Sequence, residues 1–312
     1  MSVYTCVSPS ALEDFLRRYR LGRPLGLRGI SAGVENSNFF LETEAGEFVL
    51  TIFERLPAAD LPYFLDLTAH LAQHGIPCPQ PIADREGHYL QQLCGKPAAI
   101  VQKLSGSSVE QPSDRQATAV GRLLGRLHQA GRDFPQRRAN PTGPHWWAQT
   151  ARALAGRLSP AEQALLDDEL AYQRRQRASH LPQGVIHADL FCDNALFEGD
   201  VLTGVIDFYY AADDLYLYDL AITVNAWCSR ADGELDPALS RALCDAYQAE
   251  RPFVPGEASH WSTALRAAAL RFWLSRLYDF HFPRPGDLIQ IKDPEEYRRI
   301  LEARRADCLL PL

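Results

Sequence analysis

A short apolar strand, Val185-Ile186, runs directly into His187-Ala188-Asp189-Leu190-Phe191-Cys192-Asp193-Asn194. Ala195-Leu196-Phe197 follows, Gly199-Asp200 and Gly204 punctuate two further short strands, and the second ends in Val205-Ile206-Asp207-Phe208. No other feature constrains the chain as much. The order strand, H-x-D-x-x-x-x-N, hairpin, Asp-Phe places three oxygen-bearing side chains, Asp189, Asn194 and Asp207, on neighbouring loops. A bracing role for His187 and Asp189 in a turn is the plain alternative, and Asp207 at the matching place weighs against it.

The surrounding pattern splits in two. Ser10 with Glu13 has capping-box spacing, and Leu12, Phe15, Leu16 and Tyr19 then share one helical face. Residues 27–53 read as strands, with a turn at Ala45-Gly46 and a polar loop over Ser31, Gly33, Asn36, Ser37 and Asn38. An amphipathic helix is predicted from Asp60 to His74, stopped by Gly75. Pro77, Pro79 and Pro81 force an extended link, and a hairpin follows through Tyr89–Cys94, a turn at Gly95-Lys96-Pro97 and a return over 98–104. Past Ser105-Gly106-Ser107-Ser108 the pattern turns helical: Ser113 with Gln116 caps one helix and Ser159-Pro160-Ala161-Glu162 starts another. An α+β chain of two lobes is therefore expected, a sheet-rich lobe over 1–104 and a larger, mainly helical lobe over 105–312 with a small hairpin in it. A chain of 312 residues fits two lobes at roughly 100–200 residues each. Ligands favour the cleft between such lobes.

Composition narrows the function classes. A net charge of −7 argues against a nucleic-acid partner, which would need a basic face. No run of about 18 apolar residues exists to cross a membrane, and the N-terminus lacks a signal peptide's charged and apolar regions. Seven cysteines with no CxxC spacing disfavour a disulfide framework and a zinc site, and point to buried thiols in a reducing cytoplasm. His70 and His74 are spaced i, i+4 but lack a third ligand, so they read as an exposed helix face, and Arg174-Arg175-Gln176-Arg177 reads as a solvated helix end.

The layout resembles the catalytic and metal loops of protein kinases and their relatives, and within them the aminoglycoside-phosphotransferase and choline-kinase branch, over nearly the whole chain. The resemblance implies a protein-kinase-like fold, ATP and Mg²⁺. The chemistry suits the residue types: Asp189 can orient an acceptor hydroxyl and take its proton, and Asn194 and Asp207 are hard oxygen ligands for Mg²⁺. In that branch an Asp on the following helix supports the catalytic loop. Asp219 in Leu217-Tyr218-Asp219-Leu220-Ala221 matches it, and an N-cap role is the equal alternative. By resemblance to the hinge, the adenine lies against Gln102–Leu104.

The first lobe departs from the pattern. The loop from Ser31 to Asn38 stands where a phosphate-covering loop belongs, with Gly33 for close approach and Asn36, Ser37 and Asn38 as donors, yet it lacks G-x-G-x-x-G and an ordinary polar hairpin turn would look the same. Thr51 follows Phe48-Val49-Leu50 where V-A-I-K would supply a lysine. The only lysines are Lys96, Lys103 and Lys292. Backbone donors and Mg²⁺ must then suffice, or Lys103 or an arginine must approach from elsewhere. The strings FVLTIFE, LPYFLDL, IVQKLSG, VIDFYYA, LYDLAI, NAW, ALRFWLSRLYD and IKDPEEYRRIL resemble the bacterial homoserine kinases of this fold, which also carry Thr at that place.

That resemblance implies phosphorylation of the side-chain hydroxyl of L-homoserine, a step toward threonine. A small zwitterion wants an arginine or clustered donors for its carboxylate, and carboxylates or aromatic faces for its ammonium. Tyr209 and Asp213 follow the metal loop, Asn225 and Trp227 lie on the next helix, and Arg271 and Arg276 interrupt an apolar helix. A snorkelling or ion-paired arginine is the plain alternative, as core packing is for Trp146-Trp147. Rival readings are kinases of the same fold acting on an aminoglycoside, choline, ethanolamine or methylthioribose, and a nucleotide-binding pseudokinase scaffold. Oligomeric state is open, with a homodimer as one assembly to test.

Overall fold

A computed structural model of the chain describes residues 4–30, 36–178, 180–283 and 292–306. These fall into two compact units that divide between Ser105 and Gly106.

The first unit runs α1 (Pro9–Leu16), β1 (Pro24–Gly29), β2 (Asn36–Thr43), β3 (Gly46–Phe53), α2 (Leu61–Gln73), β4 (Gln91–Leu93) and β5 (Lys96–Gln102), and its strands form an antiparallel sheet in the order β1-β2-β3-β5-β4. Side chains alternate across a strand, so the register sorts them onto faces. Phe39 and Leu41 of β2, Leu50 and Ile52 of β3 and Ala98 and Ile100 of β5 share one face, and they pack with Leu12, Phe15, Leu16 and Tyr19 of α1 and its exit. The opposite face carries Asn38, Phe40, Val49, Thr51, Ala99 and Val101.

Three local expectations change. The first helix is capped by Ser8, whose hydroxyl accepts from the Ala11 N–H at 3.2 Å, because Pro9 suits the first helical turn and Ser10 then lies inside. Asn36, Ser37 and Asn38 belong to β2, not to a loop, since the ladder with β3 extends to Asn36 opposite Phe53. The β4–β5 turn is Cys94-Gly95, with Leu93 opposite Lys96, so Lys96 and Pro97 are already strand.

The second unit runs α3 (Asp114–Ala130), α4 (Pro144–Ala153), α5 (Pro160–Gln176), β6 (Gln183–Ile186), β7 (Ala195–Glu198), β8 (Val201–Val205), β9 (Ala212–Leu215), α6 (Tyr216–Cys228), α7 (Pro237–Glu250), α8 (Trp261–His281) and α9 (Pro294–Arg305). Of the three capping-box patterns the two in this unit form, at Ser113/Gln116 and Ser159/Glu162. Leu220, Ala221, Ile222 and Val224 of α6 are fully buried, with α8 packed alongside. Helices α3 and α7 approach so closely that a Cβ on Gly121 would lie 2.1 Å from the Leu243 carbonyl oxygen. Two small ribbons, β6–β9 and β7–β8, hold the loops of interest.

Candidate active site

The catalytic-loop candidate begins where β6 ends. At Ala188 the backbone is left-handed, φ 64°, which costs an L-residue roughly 1–2 kcal/mol. What fixes it is Asp219 on α6: its Oδ2 accepts from the His187 N–H at 2.8 Å and its Oδ1 from the Ala188 N–H at 2.7 Å. Asp219 lies inside α6, whose N-cap is Leu215, so the capping alternative falls away. His128 of α3 completes the brace, its Nε2 3.0 Å from Asp219 Oδ2 and its Nδ1 2.8 Å from the Tyr247 hydroxyl. Burial pushes the His128 and His187 imidazoles down, against the pull of Asp219. A neutral His128 then donates from Nε2 and accepts the Tyr247 O–H at Nδ1. Burial alone would raise the Asp219 carboxyl, but hydrogen bonds from His128 and the His187 backbone hold it below the usual carboxylate range.

The metal-loop candidate is tied to the same place. Ala195 pairs with Val205 at the open end of the β7–β8 ribbon, which sets Asn194 beside Ile206. The Ile206 N–H donates to the Asn194 carbonyl at 2.9 Å, and the Ile206 carbonyl lies 3.0 Å from His187 Nε2. Asp207 follows with φ 65°, again left-handed. Asn194 Nδ2 donates to the Asp189 carbonyl at 2.8 Å and to its Oδ2 at 3.3 Å. One loop pair therefore collects Asp189, Asn194 and Asp207.

Electrostatics mark Asp189. Burial, opposed by Arg271 and reinforced by the charges of Asp207 and Asp193, pushes its carboxyl up to about 7. Arg271 Nη1 stands 3.4 Å from Asp189 Oδ1. That guanidinium is 3% exposed on its side chain, lies over the rings of Phe272 and Tyr210 at 3.7 and 4.9 Å, and places Nε 3.4 Å from Thr142 Oγ1. A buried cation beside a carboxylate whose charge is disfavoured can receive a second anion. The hard oxygens of Asn194 and Asp207 fit a divalent cation, whose charge would offset that of Asp207 and Asp193.

Other expected residues separate. Asn225 and Trp227 are core residues: Asn225 Nδ2 donates to the Leu265 carbonyl at 2.9 Å and its Oδ1 accepts from Arg304 Nε at 2.9 Å, while Trp227 Nε1 donates to the Leu190 carbonyl at 3.0 Å. The apolar packing of α6 buries both, so neither meets an acceptor. Asp213 is engaged by the preceding loop, its Oδ2 accepting from the Arg138 N–H at 2.7 Å. Tyr209 is half-buried in the turn after Asp207. Arg276 is paired with Glu296 at 2.6 Å. Trp147 is buried and donates to the Thr142 carbonyl at 2.7 Å.

In the first unit, Ser31 and Gly33 lie outside the described residues. Ser37 sits on the α1 side of the sheet with its hydroxyl bonded to Glu54 Oε1 at 2.6 Å and to the Tyr4 and Thr5 N–H groups, so it is no phosphate donor. Asn36 is buried and its Oδ1 has no hydrogen-bond partner among the described residues. Thr51 Oγ1 donates to Asn38 Oδ1 at 2.8 Å on the opposite face. Lys96 pairs with Glu54, but it shares the face of Ala98 and Ile100 and cannot stand in at Thr51. Lys103 lies on the Thr51 side, yet four residues beyond Ala99, roughly 13 Å along the strand, and it pairs with Glu47 at 2.8 Å. The Gln102 N–H donates to the Gln80 carbonyl at 2.8 Å, and Leu104 is half-buried beyond the strand end. Sequence reasoning missed the roles of His128 and Thr142. The available signal was a histidine on the otherwise apolar stripe of α3; Thr142 gave none.

Comparison with known proteins bears on this geometry. Residues 26–253 match the model of the phosphotransferase enzyme family. A homoserine kinase of Methylobacillus flagellatus is 47% identical over 302 residues, covering 97% of this chain and 95% of that protein. A homoserine kinase of Burkholderia pseudomallei is 47% identical over 319 residues, with 98% and 96% covered. Among solved structures, spectinomycin phosphotransferase in complex with ADP and spectinomycin superposes with a TM-score of 0.72 at 12% identity, covering 95% of this chain and 97% of that one. A microcompartment-associated aminopropanol kinase gives 0.67 at 17% identity, with 96% and 94% covered. The kinase-like fold and the extent of these matches together establish that the chain belongs to the phosphotransferase enzyme family.

Proposed function

We propose that this chain transfers the γ-phosphoryl group of ATP to the side-chain hydroxyl of L-homoserine, giving O-phospho-L-homoserine and ADP. The observation that carries the reading is the buried Arg271 guanidinium 3.4 Å from Asp189. It sets a carboxylate receptor beside a proton acceptor, which suits a small acceptor with its acid group and hydroxyl at opposite ends of a short chain. Asp189 orients the hydroxyl and takes its proton as oxygen attacks phosphorus and the bond to the β-phosphate oxygen breaks. Arg271, held by Phe272 and Tyr210, binds the acceptor carboxylate. Asn194 and Asp207 would hold Mg²⁺, which when bound neutralises charge on the transferred phosphate. Asp219 and His128 hold the loop that carries Asp189. Within the first unit, the Asn38–Thr51 face and the Gln102–Leu104 segment are assigned to the nucleotide. The 47% identity to homoserine kinases over nearly the full chain supports the choice of acceptor.

The test is a coupled ADP-release assay with ATP, Mg²⁺ and a panel of L-homoserine, choline, ethanolamine, methylthioribose and spectinomycin. Turnover with L-homoserine above all others is expected. Preference for another acceptor would replace the substrate assignment, and ATP binding with no transfer to any acceptor would remove the enzymatic one.

A further inference from the structure

The two-residue β4–β5 turn is built on an unfavourable residue. Cys94 and Gly95 both have positive φ, 54° and 77°. Such turns favour Asn-Gly, because Asn tolerates the left-handed region and Gly adopts it freely. Cysteine has neither advantage, so Cys94 holds this conformation at a cost, and such outliers cluster where a side chain has a task. Its exposed thiol reaches the Cys6 carbonyl oxygen at 3.8 Å, although the two residues are 88 positions apart in the chain. Cys6 is exposed as well, whereas Cys78 and Cys228 are buried and Cys192 and Cys244 partly so.

Both thiol-bearing segments are held beside each other. The Tyr4 and Thr5 N–H groups donate to Ser37 Oγ at 2.8 and 3.1 Å, and Lys96 Nζ donates to Thr5 Oγ1 at 2.8 Å. A thiol sulfur lies roughly 2.8 Å from its own Cα and a carbonyl oxygen roughly 2.4 Å. The Cys6 and Cys94 Cα atoms are therefore at most about 9 Å apart, against roughly 4.4–6.8 Å in a disulfide. Cys6 itself is exposed in irregular backbone, so closure asks for a local shift of at most about 2 Å there.

We propose that Cys6 and Cys94 form a paired-thiol modification site, closed to a reversible disulfide by a low-molecular-weight disulfide such as oxidised glutathione. One cysteine thiolate attacks the small disulfide and releases one small thiol. The second cysteine thiolate attacks the mixed disulfide and releases the other. Two protein thiols are oxidised, one small disulfide is reduced to two thiols, and the protons pass to the leaving thiolates. The bond fastens the segment before α1 to the β4–β5 hairpin and closes a long loop, which restricts the unfolded chain.

The experiment uses the full chain in a Cys308→Ser background, because Cys308 lies outside the described residues. The protein is incubated with oxidised glutathione, alkylated and digested without reductant. The expected result is a cross-linked pair of peptides carrying Cys6 and Cys94, with loss of about two titratable thiols, reversal by dithiothreitol and a higher melting temperature for the oxidised form. Cys6→Ser and Cys94→Ser each abolish the cross-link, and Cys94→Asn, which suits the turn, abolishes it in a chain that folds at least as well. Stable glutathione adducts on Cys6 and Cys94 without a cross-link, or a cross-link from either residue to another cysteine or another chain, overturn the proposal.

Discussion

Asp219→Asn tests the brace beneath Asp189. The side chain is fully buried and accepts three hydrogen bonds, from the His187 and Ala188 N–H groups and from His128 Nε2. Asn keeps one acceptor oxygen. Placed at the Oδ2 position, that oxygen retains two of the three bonds, and the amide nitrogen then opposes the Ala188 N–H. The lost charge-assisted bond is worth about 1.5–3 kcal/mol and the stranded N–H a further 1–3 kcal/mol or so. The two surviving bonds weaken to neutral strength. Relief from burying a carboxylate offsets part of this, several kcal/mol in comparable interiors, so a net loss of about 2–4 kcal/mol is expected. That is within the usual stability of a folded domain, so the chain still folds and the damage concentrates at Ala188, whose left-handed backbone loses its anchor. Asp189 is the next residue, and kcat should fall at least about 100-fold, the low end of a misplaced base. Urea unfolding with saturating-substrate kinetics reads both quantities. A stability loss under about 1 kcal/mol with kcat nearly unchanged would refute the brace. Pairing the substitution with His128→Ala should give a non-additive loss, because the first weakens the contact between positions 128 and 219 to neutral strength and the second removes it.

Asp189→Asn should lower kcat by about 10²–10⁴ while the fold persists. Because the folded carboxyl sits at about 7, above its ordinary 3.8, its cost to folding is absent below the ordinary value and grows as pH rises toward 7. The variant should therefore be more stable than the parent at pH 8 and equal to it near pH 4 in thermal melts. For the parent, kcat/KM should rise with pH through about 7 as Asp189 ionises, and saturating divalent cation should move that limb lower by offsetting Asp207, as pH–rate profiles would report. Arg271→Met should raise KM for the acceptor by roughly 10–150-fold, the worth of a charge-assisted bond, with KM for ATP little changed; equal effects on both substrates would remove Arg271 from the acceptor site. Gly121→Ala drives a Cβ to within 2.1 Å of the Leu243 backbone and should cost about 3 kcal/mol in urea unfolding.

What could be read from the sequence was what is local in it. Asp189 and Asn194 are five residues apart on one loop, and Asp207 lies across a hairpin whose pairing is short-range. Those spacings are what the proposed metal ligands and base were read from. The second unit's capping boxes are local too, and both formed. The acceptor side was less legible. Asn225 and Trp227 are polar-capable residues on α6, and only the packing of that helix on both sides decides that their donors satisfy the Leu265 and Leu190 carbonyls. The assignment of Ser37 to phosphate failed for a period-two reason: its neighbour Asn38 shares a face with Thr51, so Ser37 must point the other way, toward Glu54. His128 is 91 residues from Asp219, and nothing short of the fold joins them.

The second unit's two left-handed non-glycine residues among those described, Ala188 and Asp207, both lie at the candidate site, and this coincidence has a physical logic. A residue that reverses the chain just past a strand end can aim the next side chain where a regular strand would not. The conformation survives only where neighbouring groups over-determine it. At Ala188 the Asp219 carboxylate does so from below. At Asp207 the preceding residue does so, since Ile206 is bonded through its N–H to Asn194 and through its carbonyl to His187. His187 thus joins the two reversals: its backbone N–H is held by Asp219 and its ring by Ile206. Its Nε2–H donates to the Ile206 carbonyl while its Nδ1 accepts from the Asp189 N–H at 3.2 Å, a pairing that requires the neutral imidazole, and burial favours that form. An apolar substitute at 187 would leave the Ile206 carbonyl without that donor and untie the Asp207 reversal from the loop that carries Asp189, which is why His187 belongs to the same constellation as the proposed base.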